Sequence, residues 1–105
     1  MAGTGAITLG DWRVEPAANT VTCGEESIRL EPIVMDVLVC LARRAAEVVP
    51  TREIIHEVWR TEFITDKALT RAVGEIRRAL GDDARNPTYI RTIPTRGYQL
   101  LKLRT

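Results

Sequence analysis

The stretch Asp66-Lys67-Ala68-Leu69-Thr70-Arg71-Ala72-Val73-Gly74-Glu75-Ile76-Arg77-Arg78-Ala79-Leu80-Gly81 decides how the rest of the chain is read. Leu69, Val73, Ile76 and Leu80 recur at spacings of four, three and four, which puts them on one face of an α-helix. Lys67, Thr70, Arg71, Gly74, Glu75 and Arg78 fall on the other side, with Arg77 at a flank. Thr65 or Asp66 is placed to cap the helix, and Gly81 to stop it. Such a helix is held rigid by its apolar face while a polar, mostly basic face meets something else. Its N-terminal N–H groups and positive dipole end favour phosphate.

Working outward, residues 60–65 read as a loop. Before it, Ile54, Ile55, Val58 and Trp59 form the apolar stripe of a second helix, with Thr51 as its N-cap. Ala45 to Pro50 reads as a short connection. Upstream again, Pro32 suits a first helical turn, where its missing N–H costs nothing. Val34, Val37, Leu38 and Leu41 follow at helical spacing, and this broad band predicts the most buried of three helices. The first thirty residues have a different period. Ile7-Thr8-Leu9 and Trp12-Arg13-Val14-Glu15 alternate, Val21 shares a parity with Cys23, and Ile28 with Leu30. Turn signals at Gly10-Asp11, Pro16 to Asn19 and Gly24-Glu25 separate them, so a small antiparallel sheet with one packed face is predicted. Beyond the third helix, a polar linker from Asp82 to Thr88 leads to two strands, Tyr89 to Ile93 and Tyr98 to Leu103. Pro94-Thr95-Arg96-Gly97 joins them. Alternation in this hairpin is imperfect, so the pattern leaves its register open.

At 105 residues, 45% apolar and 28% charged, the composition is that of one soluble globular domain. Charges interrupt every apolar run before it reaches the length of a membrane span, and Met1 to Gly10 lacks the pattern of a signal peptide. Two cysteines, Cys23 and Cys40, read as ordinary thiols of a reducing cytoplasm. With His56 the single histidine, there is no zinc spacing, no catalytic triad and no phosphate-binding glycine loop. The sequence therefore argues against an enzyme and calls for no cofactor or metal. Asp82-Asp83 reads as a polar turn. The net charge of +1 hides an asymmetry: residues 1–66 hold 6 Lys/Arg and 11 Asp/Glu, a balance of −5, while residues 67–105 hold 9 and 3, a balance of +6. The C-terminal side suits a polyanion.

Five segments then carry a resemblance. They are Leu30-Glu31-Pro32, Glu47-Val48-Val49-Pro50-Thr51-Arg52-Glu53, Val58-Trp59, Glu75 to Asp83, and Tyr89-Ile90-Arg91-Thr92-Ile93-Pro94-Thr95-Arg96-Gly97-Tyr98. In this order they resemble the OmpR/PhoB-type effector domain, and the Thr-Ile-Pro-Thr-Arg-Gly-Tyr wing is most like the CadC/ToxR-like branch. The resemblance implies an α+β winged helix-turn-helix fold. Its parts are a four-stranded N-terminal antiparallel sheet (1–30), a three-helix core (31–81) and a C-terminal hairpin wing (88–104), forming one domain over 1–105.

The resemblance also implies transcription regulation by binding double-stranded promoter DNA at repeated sites, usually as a dimer. Helix 66–81 would enter the major groove, and the wing at 94–97 would meet the adjacent minor groove or backbone. Base and phosphate contacts are implied for Lys67, Thr70, Arg71, Gly74 and Glu75, with a phosphate for Arg77; Arg78, on the same polar side of the helix, is a further candidate for DNA contact. Glu75 and Gly74 depart from the basic residues frequent there; Glu75 would read a cytosine amine or face solvent. The alternative partner for Arg77 is an acid of the first half, such as Glu57. Trp59 would pack near the DNA backbone with its indole N–H toward phosphate. Many members insert an arginine at the position of Pro94; here Arg96, beside Thr95 at the wing tip, is expected in that role. A second reading is a protein-interaction module whose loop 60–65 meets RNA polymerase or a partner subunit. CadC-like proteins usually carry this domain at the N-terminus ahead of a membrane helix, so the chain is expected to be the cytoplasmic part of a longer regulator, with a stand-alone protein as the alternative.

Overall fold

The computed structural model describes residues 5–61 and 63–101. The alternating N-terminal segment forms four short strands: β1 (Ile7–Leu9), β2 (Trp12–Glu15), β3 (Thr20–Cys23) and β4 (Glu26–Arg29). They pair antiparallel in chain order. Val14 lies opposite Ile7 on one side and Val21 on the other, and Val21 lies opposite Ile28. This register gathers Leu9, Trp12, Val14 and Val21 on the buried face and leaves Thr8 and Arg13 outside. A 3-10 turn at Pro16–Ala18 joins β2 to β3, ending on Asn19 in the left-handed conformation.

Three helices follow: α1 (Pro32–Arg43), α2 (Thr51–Trp59) and α3 (Asp66–Leu80). Pro32 opens α1 as expected. Helix α1 buries Val34, Met35, Val37, Leu38, Cys40 and Leu41, whereas α2 buries only Ile54 and Ile55. Helix α1 is the central post, and both α2 and α3 pack against it. The N-cap of α2 differs from the expected one, while that of α3 is one of the two expected residues. Pro50 occupies the α2 cap and Thr51 is the first helical residue; Thr65 occupies the α3 cap, and neither cap makes a side-chain bond. The backbone N–H of Thr51 instead donates to the Arg96 carbonyl at 3.0 Å, a tertiary partner that a local cap signal does not anticipate. Helix α3 ends as its glycine predicts. Gly81 has φ 70°, with Gly81 N–H on the Arg78 carbonyl and Asp82 N–H on the Arg77 carbonyl.

The segment read as a plain connection holds a strand, β5 (Val48–Pro50). It joins β6 (Ile90–Ile93) and β7 (Gly97–Leu100) in a second antiparallel sheet of order β5-β7-β6. Val49 pairs with Tyr98 and Pro50 with Gly97. The strand is too short, and its partner too distant in sequence, for alternation to reveal it. Gly97 is there for space: a Cβ would run into the Val49 carbonyl. The first wing strand begins one residue later than expected, at Ile90, and the second one residue earlier, at Gly97, ending at Leu100. The predicted continuation of the second strand through 102–103 lies outside the described residues. Among the described residues, no helix is long and apolar enough to cross a membrane.

Candidate nucleic-acid interface

Helix α3 divides as its sequence does. Leu69, Ala72, Val73, Ile76 and Leu80 are buried, while Lys67, Thr70, Arg71 and Arg78 are exposed on the opposite side. Gly74 is half-buried, and a Cβ there would meet nothing within 4 Å, so the glycine keeps that face low rather than relieving a tight contact. Glu75 does not stand alone against a polyanion: its carboxylate pairs with Arg78 Nη1 at 3.0 Å. The exposed pair tempers the negative charge without adding much stability.

Two grooves flank this helix. One, of about 340 Å³, lies between α3, the start of α2 and the wing, and is lined by Arg52, Asp66, Thr70, Thr92, Thr95 and Arg96 among others. The other, of about 360 Å³, lies toward the start of α1 and is lined by Trp59, Arg71 and Glu75 with Glu31, Ile33 and Val34. Trp59, half-buried at the end of α2, thus sits beside Arg71 along the edge of the helix. Arg52 ties the starts of α2 and α3 together. Its Nη1 donates to the Ile64 carbonyl and to Asp66 Oδ1, both at 3.3 Å.

The wing turns through Ile93-Pro94-Thr95-Arg96, closed by Arg96 N–H on the Ile93 carbonyl at 3.0 Å. Pro94 and Thr95 form the apex, and Arg96 is the last residue of the turn rather than its tip. Thr95 has φ 62°, the left-handed value this Pro-led turn demands at its third residue and which glycine or asparagine adopts more readily. Arg96 is exposed, and its carbonyl is held by Thr51, so the backbone of the wing end is anchored while its guanidinium reaches outward.

Two side chains that fix this assembly were not legible as such. Arg77 turns toward the wing: Nη2 donates to the Ile90 carbonyl at 2.8 Å and to Thr92 Oγ1 at 2.9 Å, and Nε is buried. Its proposed alternative partner, Glu57, lies instead 3.9 Å from Arg43. Asp82, the expected polar turn, is an organising centre. Oδ1 accepts from the N–H groups of Asp83 and Thr88 at 3.0 and 2.7 Å, and Oδ2 from those of Tyr89 and Ile90 at 3.2 and 2.9 Å. An Asp just after a helix-stopping glycine was the available signal, but spacing alone does not say which N–H groups it will gather.

The remaining titratable chemistry is structural. Burial, reinforced by the neighbouring Glu57 carboxylate, pushes the Cys40 thiol up to about 12, which keeps it protonated and unreactive. Cys23 and Cys40 are both free thiols. Among the described residues, no group of three His, Cys, Asp or Glu is disposed to hold a metal ion.

An N-terminal sheet, a three-helix core whose last helix presents a basic face, and a C-terminal hairpin tied to that helix define a winged helix-turn-helix domain. Residues 24–100 match the family described as "Transcriptional regulatory protein, C terminal", and the chain belongs to it. It is 35% identical over 96 residues to the transcriptional activator CadC of Escherichia coli, covering 90% of this chain and 19% of that protein. It is also 35% identical over 104 residues to the cholera toxin transcriptional activator of Vibrio cholerae, covering 94% of this chain and 35% of that protein. The chain therefore spans between about a fifth and a third of these relatives. Among solved structures, the DNA-binding domain of E. coli CadC superposes with a TM-score of 0.82 at 34% identity over 92% of each chain. The Klebsiella pneumoniae RstA DNA-binding domain, solved in complex with the RstA box, shares the fold with a TM-score of 0.81 at 24% identity, covering 91% of this chain and 96% of that one. The OmpR/PhoB-type, CadC-like resemblance drawn from the five sequence segments agrees with these matches. The family and these relatives are transcriptional regulators, not enzymes.

Proposed function

We propose that this chain binds double-stranded promoter DNA in transcription regulation, with α3 in the major groove and the wing at the adjacent minor groove or backbone. The observation that carries this reading is the division of α3 into a fully buried apolar face and an exposed face of Lys67, Thr70, Arg71 and Arg78. A helix so held presents side chains at base-edge depth without losing its own packing. Lys67, Thr70 and Arg71 contact bases or phosphates. Arg78 and Glu75 act as a pair on the outer turn. Trp59 lines the flank beside Arg71 with its indole toward the backbone, and Thr95 and Arg96 supply the wing contact. The similarity to the CadC DNA-binding domain supports the reading. The domain works in the cytoplasm as one unit over 1–105, within a longer, membrane-anchored regulator, and pairs with a second copy on repeated sites. Arg71→Ala is expected to cost roughly 1–3 kcal/mol of binding and to relax sequence preference, and Arg96→Ala to weaken all sequences alike. Titration of labelled promoter duplexes with both variants tests this; wild-type affinity in both would refute the assignment.

A second reading, contact with RNA polymerase or a partner subunit through loop 60–65, is favoured by Phe63. This aromatic is 93% exposed in that loop, and large exposed apolar side chains are characteristic of protein contacts. It is compatible with DNA binding by α3. Retention of polymerase at salt that abolishes DNA binding, lost in Phe63→Ser, would support it.

A further inference from the structure

We propose that Arg77 is a positioning residue: its guanidinium fixes the wing to α3, so that helix and wing engage DNA as one rigid body. This rests on the DNA-binding reading above and departs from the phosphate contact that the family resemblance implies for Arg77.

Strand β6 is an edge strand, since the second sheet runs β5-β7-β6. Arg77 from the last turn of α3 and Asp82 just beyond the helix cover that edge where another strand would otherwise lie. Ile90 is gripped at both of its backbone groups: its N–H donates to Asp82 Oδ2 at 2.9 Å, and its carbonyl accepts from Arg77 Nη2 at 2.8 Å. The same Nη2 reaches Thr92 Oγ1 at 2.9 Å, one pleat further along. Ile90 is itself fully buried, so the contact joins the core end of the wing to the helix. Nε is buried without a hydrogen-bond partner, and Nη2 is turned onto β6. A planar guanidinium suits a strand edge in a way an ammonium does not, because its donors have fixed directions.

The consequence is for binding. The wing turn carries Thr95 and Arg96, and Thr92 lies on the strand that delivers them. Holding β6 sets the distance between those residues and the exposed face of α3. A surface preset to two neighbouring features of the duplex avoids ordering the wing on binding.

The test uses the whole chain and a labelled duplex recovered from a random pool by the wild-type protein. Arg77→Lys keeps the charge and loses the planar guanidinium whose Nη2 makes both contacts. If Arg77 positions the wing, Arg77→Lys weakens binding roughly three- to thirtyfold, and Arg96→Ala, costly in the wild type, costs little more in the Arg77→Lys background. Thr92→Val, which removes one acceptor and keeps strand propensity, weakens binding in the same direction by less; it carries the test if Arg77→Lys does not fold. A phosphate contact gives the opposite pattern. Arg77→Lys then binds like the wild type, or its effect simply adds to that of Arg96→Ala; either result overturns the proposal. A wild-type chain that recovers no duplex at low salt refutes the DNA-binding reading itself, an outcome distinct from wild-type binding with an unaffected Arg77→Lys.

Discussion

Helix α3 and the wing lie side by side at one face of the molecule, but different forces hold them there. The helix is fixed by Leu69, Ala72, Val73, Ile76 and Leu80 against α1 and α2, a non-directional attraction proportional to apolar area. The wing buries Ile90, Tyr98 and Leu100, and is then aligned by directional contacts: Asp82 on three successive N–H groups, Arg77 on β6, and the Arg96 carbonyl on the start of α2. Packing decides that the helix is present and which face is inward. Polar contacts decide where the wing stands relative to it. Loss of packing should therefore unfold the domain, whereas loss of a polar contact should loosen the wing.

The largest expected effect is on the packed side. Ile76→Ala empties a fully buried position in the middle of α3 and should cost about 2–5 kcal/mol, read as a lower midpoint in chemical denaturation with all probes moving together. Asp82→Ala should cost about 2 kcal/mol, in the range for hydrogen bonds to a charged group. Its amides at Thr88, Tyr89 and Ile90 should exchange hydrogen faster than those of α3, since the loss falls on the wing. Equal acceleration in α3 would break the distinction between the two regions.

Cys40 sharpens the comparison by pH. Its folded value, about 12, lies above the ordinary 9.0. The unfolded thiol therefore ionises first, and stability present below pH 9 is lost as pH rises toward 12. By about pH 10 the wild type should lose on the order of 1 kcal/mol relative to Cys40→Ala, with no change in that difference between pH 6 and 8. The smallest effect is at the wing apex. Thr95→Gly relieves a left-handed residue and should raise stability by about 0.5 kcal/mol, the strain relieved being offset in part by glycine's greater unfolded entropy. A decrease would mean that the Thr95 Oγ1 bond to the Pro94 carbonyl at 2.6 Å outweighs the strain.

What could be read from the sequence follows the same line. Period fixes a helix when apolar residues recur over several turns, so α3 and its exposed basic face were legible down to individual residues. The four N-terminal strands were legible because short alternating runs are separated by strong turn signals. Strand β5 was not, because three residues ending in proline carry no period and the partner lies in the wing. Arg77 was placed correctly at the flank of α3, but the direction of its guanidinium depends on where β6 lies, which no spacing encodes. Asp82 looked like any polar turn residue until the chain beyond it folded back onto its carboxylate. The wing turn was recognised, yet Arg96 falls one position past the apex because Pro94 takes the second place of the turn and Thr95 the third.

The most direct test of the central claim is selection of bound duplexes from a random double-stranded DNA pool by the wild-type chain and by Arg71→Ala in parallel. The wild type should enrich a defined sequence element, and Arg71→Ala should recover the same element with preference lost at one or two adjacent base pairs. Enrichment of no sequence by the wild type, or of an identical element by Arg71→Ala, would contradict the assignment of the exposed face of α3 to base recognition.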